Sequence, residues 1–225
     1  MKYSDYRAAA APAAKRPAAR GWMFLFTLMA GLAISLSAMQ AHAQQAPDAL
    51  VKQTVDGLLT AIKADADIQN GNAPKLLQLV DKQILPNVNF EKTTQLAAGR
   101  HWRDATAEQK QALIKEFRAT LVRTYSGAVS AVRPQTTVTM LPFRAQPADT
   151  DVVVRTTINQ PNGEPIQVDY RLEKMQNNAW KIYDVNVLGV WLIQNYRNQF
   201  SQEISQKGFD GLIKTLADRN RQSGL

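Results

Sequence analysis

The chain has 225 residues, with 27 Lys and Arg against 19 Asp and Glu, and no cysteine. The lack of thiols excludes disulfides, zinc–thiolate centres and cysteine nucleophiles. The basic excess is uneven: residues 1–43 hold five of the basic residues and one acidic one, leaving 22 against 18, or +4, in the remainder. That is too little to argue for nucleic acid as a partner.

The N-terminus carries Lys2, Arg7, Lys15, Arg16 and Arg20 ahead of an uncharged apolar run, Trp22 to Leu36. Small residues follow, and Ala41-His42-Ala43 fits the small-x-small pattern of a signal peptidase site. The run falls short of the about 20 residues a bilayer span needs. The pattern predicts a cleaved secretory signal over 1–43, Gln44 as first mature residue, and export. With no cysteine after the run there is no lipoprotein anchor, and His101 is the only histidine of the mature chain, 44–225.

The mature chain reads as helices, then a sheet, then helices: a helical part over about 47–134, a sheet over about 135–187 and C-terminal helices over about 190–220. Val51, Val55, Leu58, Leu59 and Ile62 recur at helical spacing after Pro47-Asp48. Asn72, with Pro74 in the first turn, caps a second helix whose stripe is Leu76, Leu77, Val80 and Ile84. Asn89 caps a third, which stops at Gly99. Thr106 with Gln109 forms a capping box for a longer helix carrying Leu113, Phe117, Leu121, Val122, Tyr125 and Val129, closed by Arg133-Pro134.

Four strands are predicted, 136–143, 151–159, 165–175 and 179–187, in an antiparallel meander with hairpin signals at Asn162-Gly163 and Asn177-Asn178. Ile166, Val168, Tyr170 and Leu172 share one face of their strand and Gln167, Asp169, Arg171 and Glu173 the other, so the sheet has one apolar side. In the last strand Trp180 and Ile182 share a parity that Val185 and Val187 oppose. The switch predicts a bulge near Tyr183-Asp184, and hence a curled sheet with a concave face. Leu192, Tyr196, Phe200 and Ile204 then mark a helix ending at Gly208, and Phe209 begins the last one. The fold class is α+β.

Ile84-Leu85-Pro86-Asn87-Val88-Asn89-Phe90, Gly99-Arg100-His101-Trp102, Pro165 to Leu172, Trp180-Lys181-Ile182-Tyr183-Asp184-Val185 and Asn195 to Phe200 together resemble the blocks of the MlaC family of periplasmic phospholipid-binding proteins, also called toluene-tolerance proteins. Asn89 stands where the family pattern has Asp, and Leu188-Gly189-Val190-Trp191 replaces a more usual Glu-Gly-Val-Ser. The resemblance implies an NTF2-like curved sheet joined to a helical subdomain, with lipid tails held between them. It also implies phospholipid as cargo and no catalytic residue, metal or cofactor. The expected partners are an inner-membrane ABC transporter with an MlaD-like MCE-domain subunit and an outer-membrane MlaA-like lipoprotein with its porin, serving outer-membrane lipid asymmetry. The carrier itself is expected to be a monomer.

The expected lipid-binding wall is Val152, Val154, Ile158, Ile166, Val168, Tyr170, Leu172, Trp180 and Ile182, opposed by Phe117, Leu121, Tyr125 and Trp191. Tyr125 and Tyr170 are favoured because a phenol can touch both an apolar tail and a wet rim. Each of these residues could equally be ordinary core. The alternative reading is an NTF2-like enzyme of the isomerase or dehydratase type, in which an Asp or Tyr in an apolar pocket does acid–base work. Against it, Asp169 has the outward parity, and Asp184 is better read as satisfying backbone N–H groups. Arg100, His101, Trp102 and Arg103 form a basic loop whose plainer reading is a solvated turn with a packed indole.

Overall fold

The computed structural model describes residues 45–225. The predicted signal, residues 1–43, lies outside the described residues. No helix among the described residues is long and apolar enough to cross a membrane.

Helix α1, Pro47–Ala64, starts on a proline whose missing N–H costs nothing at that position. A short helix α2, Ala66–Gln69, follows at once, because the Asp65 carboxylate accepts from the N–H groups of Asp67 and Ile68. Helix α3, Ala73–Leu79, is capped by Asn72 as predicted. Instead of continuing, it widens into a π turn over Val80–Ile84 and tightens into a 3-10 turn over Leu85–Asn87, ahead of Val88 and the Asn89 cap. Helix α4, Phe90–Ala98, ends at Gly99, whose φ of 60° suits a residue without a Cβ. After a 3-10 turn, Gly99–Arg103, helix α5 spans Ala107–Ser130 with both bonds of the Thr106–Gln109 capping box in place.

Among the described residues the sheet has five strands, not the four expected, in the order β1 Thr137–Met140, β2 Asp151–Asn159, β3 Ile166–Lys174, β4 Trp180–Val187 and β5 Val190–Trp191, all antiparallel. The fifth is two residues long and pairs Asn186 with Trp191 and Val187 with Val190. The predicted bulge is present: Arg171 pairs with Asp184 and Leu172 with Ile182, leaving Tyr183 as the extra residue. It curves the sheet and brings Val185 and Val187 to the face of Tyr170 and Val168.

Helix α6, Leu192–Gln222, is broken at Gly208, where φ 71° and ψ 177° are open essentially to glycine alone. The predicted end of one helix and start of the next fall at that break.

Among the described residues, three apolar clusters hold these elements. One joins α4, α5 and α6 around Phe117, with Tyr196, Phe200 and Phe90 ringed about it at centroid distances of 4.8, 4.9 and 5.6 Å. A second joins the sheet to Leu50, Val51 and Val55 of α1. A third gathers Ile62, Ile68, Leu76, Leu79 and Val122 from α1, α2, α3 and α5. Helix α1 is common to the second and third. The buried Asn220 ties the C-terminus in by donating to the Glu116 carbonyl and carboxylate, both at 2.9 Å.

Candidate functional site

The cross-strand register arranges the apolar wall in rows. At one end Val152, Leu172 and Ile182 stand abreast, 8, 0 and 4 % exposed. Next come Val154, Tyr170 and Val185, then Met140, Thr156, Val168 and Val187. Thr156 is tolerated in this wall because its hydroxyl donates to the Val168 carbonyl. The last row, Val138, Ile158 and Ile166, is half-buried throughout. The wall is therefore tightly covered at the Leu172 row and less so at the Ile158–Ile166 row, while beyond Leu172 the half-buried Trp180 pairs with Lys174.

Helix α1 explains the gradient. Its first turns set Leu50, Val51 and Val55 on the wall, whereas Ile62 packs in the third cluster, with Leu58 and Ala61 partly buried against it. Its far end is tethered by Lys63, whose ammonium donates to the Thr136 carbonyl just ahead of β1. Helix α5 packs chiefly on α3, α4 and α6 rather than on the strands. Half-buried aliphatic side chains at the open row leave apolar area wet, and covering each one fully is worth up to about 1.5–3 kcal/mol. An apolar guest can supply that cover.

Val152, Val154, Ile158, Ile166, Val168, Tyr170, Leu172, Trp180 and Ile182 thus lie together in one apolar cluster. Phe117 and Leu121 do not oppose them: Phe117 is fully buried among α4 and α6, and Leu121 packs against that cluster. Periodicity along α5 fixed its apolar face but not which neighbour that face meets. Tyr125 is half-buried beyond them, its phenol raised by burial and by nearby Tyr196. Burial also raises the phenol of Tyr170 on the wall.

Trp191 is a correction of face. Its pairing with Asn186, which itself pairs with Asp169, puts it on the polar side of the sheet, where the Arg171 guanidinium lies 3.7 Å from its ring centroid. Sequence reasoning also missed Leu50, Val51 and Val55 as the wall's cover. Their helical stripe was visible, but not its destination.

On that polar side Asp184 accepts from the backbone N–H groups of Val185 and Ile193 and from Arg171 Nη1, at 3.0, 3.1 and 3.1 Å. It thereby serves the first turn of α6, as expected of it. Burial raises its carboxyl above the ordinary value, against the lowering pull of those donors. Tyr183 donates its hydroxyl to Asp151, and burial, together with that acceptor, raises its phenol above the ordinary value. Trp102 is buried with the helical cluster while Arg100 and Arg103 are exposed, the plainer reading of that loop. No group of three His, Cys, Asp or Glu among the described residues is placed to hold a metal ion.

The raised carboxyl has a consequence in solution. Between the unfolded value near 3.8 and its higher folded value the fold holds a proton that the unfolded chain has lost. Asp184 therefore contributes most at low pH, and its contribution declines as pH rises through the folded value. Asp184→Asn keeps an acceptor for the two N–H groups, so its urea stability relative to wild type should improve from about pH 3 to about pH 7. A relative stability that worsens over that range contradicts this account.

A family model described as MlaC protein matches residues 52–218. The chain belongs to the MlaC family. Among MlaC relatives, the intermembrane phospholipid transport system binding protein MlaC of Haemophilus influenzae is 25% identical over 198 residues, covering 87% of this chain and 91% of that protein. The toluene tolerance protein ttg2D of Pseudomonas putida is 28% identical over 193 residues, 84% of this chain and 87% of the relative. A phospholipid-binding protein from Ralstonia solanacearum, solved in complex with a phospholipid, shares 48% identity and superimposes with a TM-score of 0.74 over 81% of this chain and 100% of that one.

Proposed function

We propose that this MlaC-family chain is an exported, periplasmic phospholipid carrier that takes acyl tails in through the open end of the wall, Val138, Ile158 and Ile166. The tails run along Thr156, Val168, Val154 and Tyr170, toward the closed row of Val152, Leu172 and Ile182. The curled sheet with its crossing helix is an NTF2-like frame. The observation that carries this reading is the 48% identical neighbour with a phospholipid bound. The half-buried Val138, Ile158 and Ile166 row at one end of a largely buried wall supports it independently.

The energetics fix what such a carrier can do. About 30 methylenes at about 0.8 kcal/mol each amount to about 24 kcal/mol against water, beyond the ceiling of about 18–21 kcal/mol for reversible binding. Release into water is closed to it. Exchange with another apolar site is close to neutral, so the carrier lowers the barrier to crossing water while its partners set direction. Those partners are an inner-membrane ABC transporter with an MlaD-like subunit and an outer-membrane MlaA-like lipoprotein with its porin. The system's task is outer-membrane lipid asymmetry, the protein works as a monomer, and it catalyses no reaction.

Extraction of the purified mature chain followed by mass spectrometry tests this directly. Diacyl phospholipid in near one-to-one amount is the expected result. Protein expressed in a membrane-rich host and recovered free of lipid would overturn the reading.

A further inference from the structure

Leu188 and Val190 are the large hydrophobic side chains left exposed among the described residues, 69 and 54 %. They form the tip of the β4–β5 hairpin. Leu188 has φ 52° and Gly189 φ 86°, the pair of positive angles of a type I′ turn, where Asn or Gly is the usual first residue. A leucine there meets two costs, an unfavourable backbone region and apolar surface left in water.

The tip is also rigidly held. Asn186 accepts from the Gly189 N–H at 2.8 Å, and the Leu188 N–H donates to the Gln167 carbonyl at 3.3 Å. Trp191 lies beneath Arg171, which bonds the fully buried Asp184 carboxylate. A rigid, strained loop that presents aliphatic side chains is built to present them.

Its position says to what. Leu188 bonds the strand residue next to Ile166, and Val187 continues the row of Val168, so the tip stands at the open end of the wall. We propose that the Leu188–Val190 tip inserts into a phospholipid bilayer and sets the open end of the wall against it. This rests on the carrier reading.

Three features favour a bilayer over a protein as the occupant. Two side chains on a narrow hairpin fall far short of the roughly 1,200 Å² that a stable protein–protein interface buries. On the polar side of the sheet behind the tip the charges are paired, Arg171 with Asp184 and Arg155 with Asp169, and Gln167 donates to Asp169, so the hairpin's own surroundings there offer little charge code for a protein surface. An indole with a guanidinium directly behind an aliphatic tip suits the headgroup layer, and the mature net charge of +4 draws the chain to an anionic leaflet.

The test uses the mature protein and vesicles of phosphatidylethanolamine and phosphatidylglycerol. The double variant Leu188→Asn with Val190→Thr removes the apolar tip while giving the turn a residue it prefers, so folding is not in question and a thermal melt verifies it. Co-sedimentation should fall roughly tenfold or more relative to wild type. The phospholipid already bound, measured by extraction, should be unchanged. Equal vesicle binding by the two proteins overturns the proposal, as does a wild type that ignores vesicles and instead self-associates through the tip in sedimentation velocity. Empty protein of both kinds with vesicle binding still lost in the variant would refute the carrier reading and leave the tip assignment standing.

Discussion

Ile166→Trp is expected to empty the protein of lipid without unfolding it. Ile166 is half-buried in the open row, paired with Ile158 and remote from the fully closed end. An indole there would fill the proposed entry rather than a packed interior, so the stability cost should sit at or below the low end of the about 1–3 kcal/mol typical of overpacked cores. Co-purifying phospholipid should drop about tenfold or more, since a blocked entry forfeits the contacts of many methylenes. Urea denaturation and lipid extraction on the same preparation separate the two effects. Full lipid content in a folded variant would move the entry elsewhere.

Phe117→Ala should do the reverse. Phe117 is fully buried and touches three aromatic rings in the helical cluster, so its loss costs about 3–5 kcal/mol and lowers the urea midpoint accordingly. The fraction that remains folded should retain its lipid, because this cluster is separate from the wall. A stable but empty variant would return Phe117 to the tail-contacting role that its apolar stripe first suggested.

These two substitutions divide what was legible in the chain from what was not. Period-two patterning is local, and strand parity placed Val152, Val154, Val168, Tyr170 and Leu172 on one face without knowledge of their cover. The bulge was legible because a parity switch within one strand has few other causes. Caps were legible at Asn72, Asn89 and Thr106, since the side chains that bond the first turn lie next to it in sequence.

Destinations of helical faces were not legible. The stripe of α5 around Phe117 and that of α1 around Val51 are equally apolar, and only tertiary packing sends one to α4 and α6 and the other to the sheet. The fifth strand was hidden for a chemical reason. Its turn carries Leu188 where the type I′ signal calls for Asn, Asp or Gly, so nothing marks a hairpin, and Trp191, expected opposite the apolar wall, instead pairs with Asn186 on the polar side. The π turn at Val80–Ile84 left no mark either, since its residues continue the apolar period of α3.

In the proposed carrier, acyl tails lie against the even-numbered side chains of β2 and β3 and enter from the Ile158–Ile166 end. A phospholipid with a photoreactive diazirine near the tail terminus, loaded into the mature protein, irradiated and mapped by mass spectrometry, tests it most directly. Adducts are expected on Val154, Val168 and Tyr170, with labels nearer the headgroup shifting to Ile158 and Ile166. Adducts confined to the Phe117–Phe200 cluster, or to the Arg171 and Trp191 face of the sheet, would contradict it.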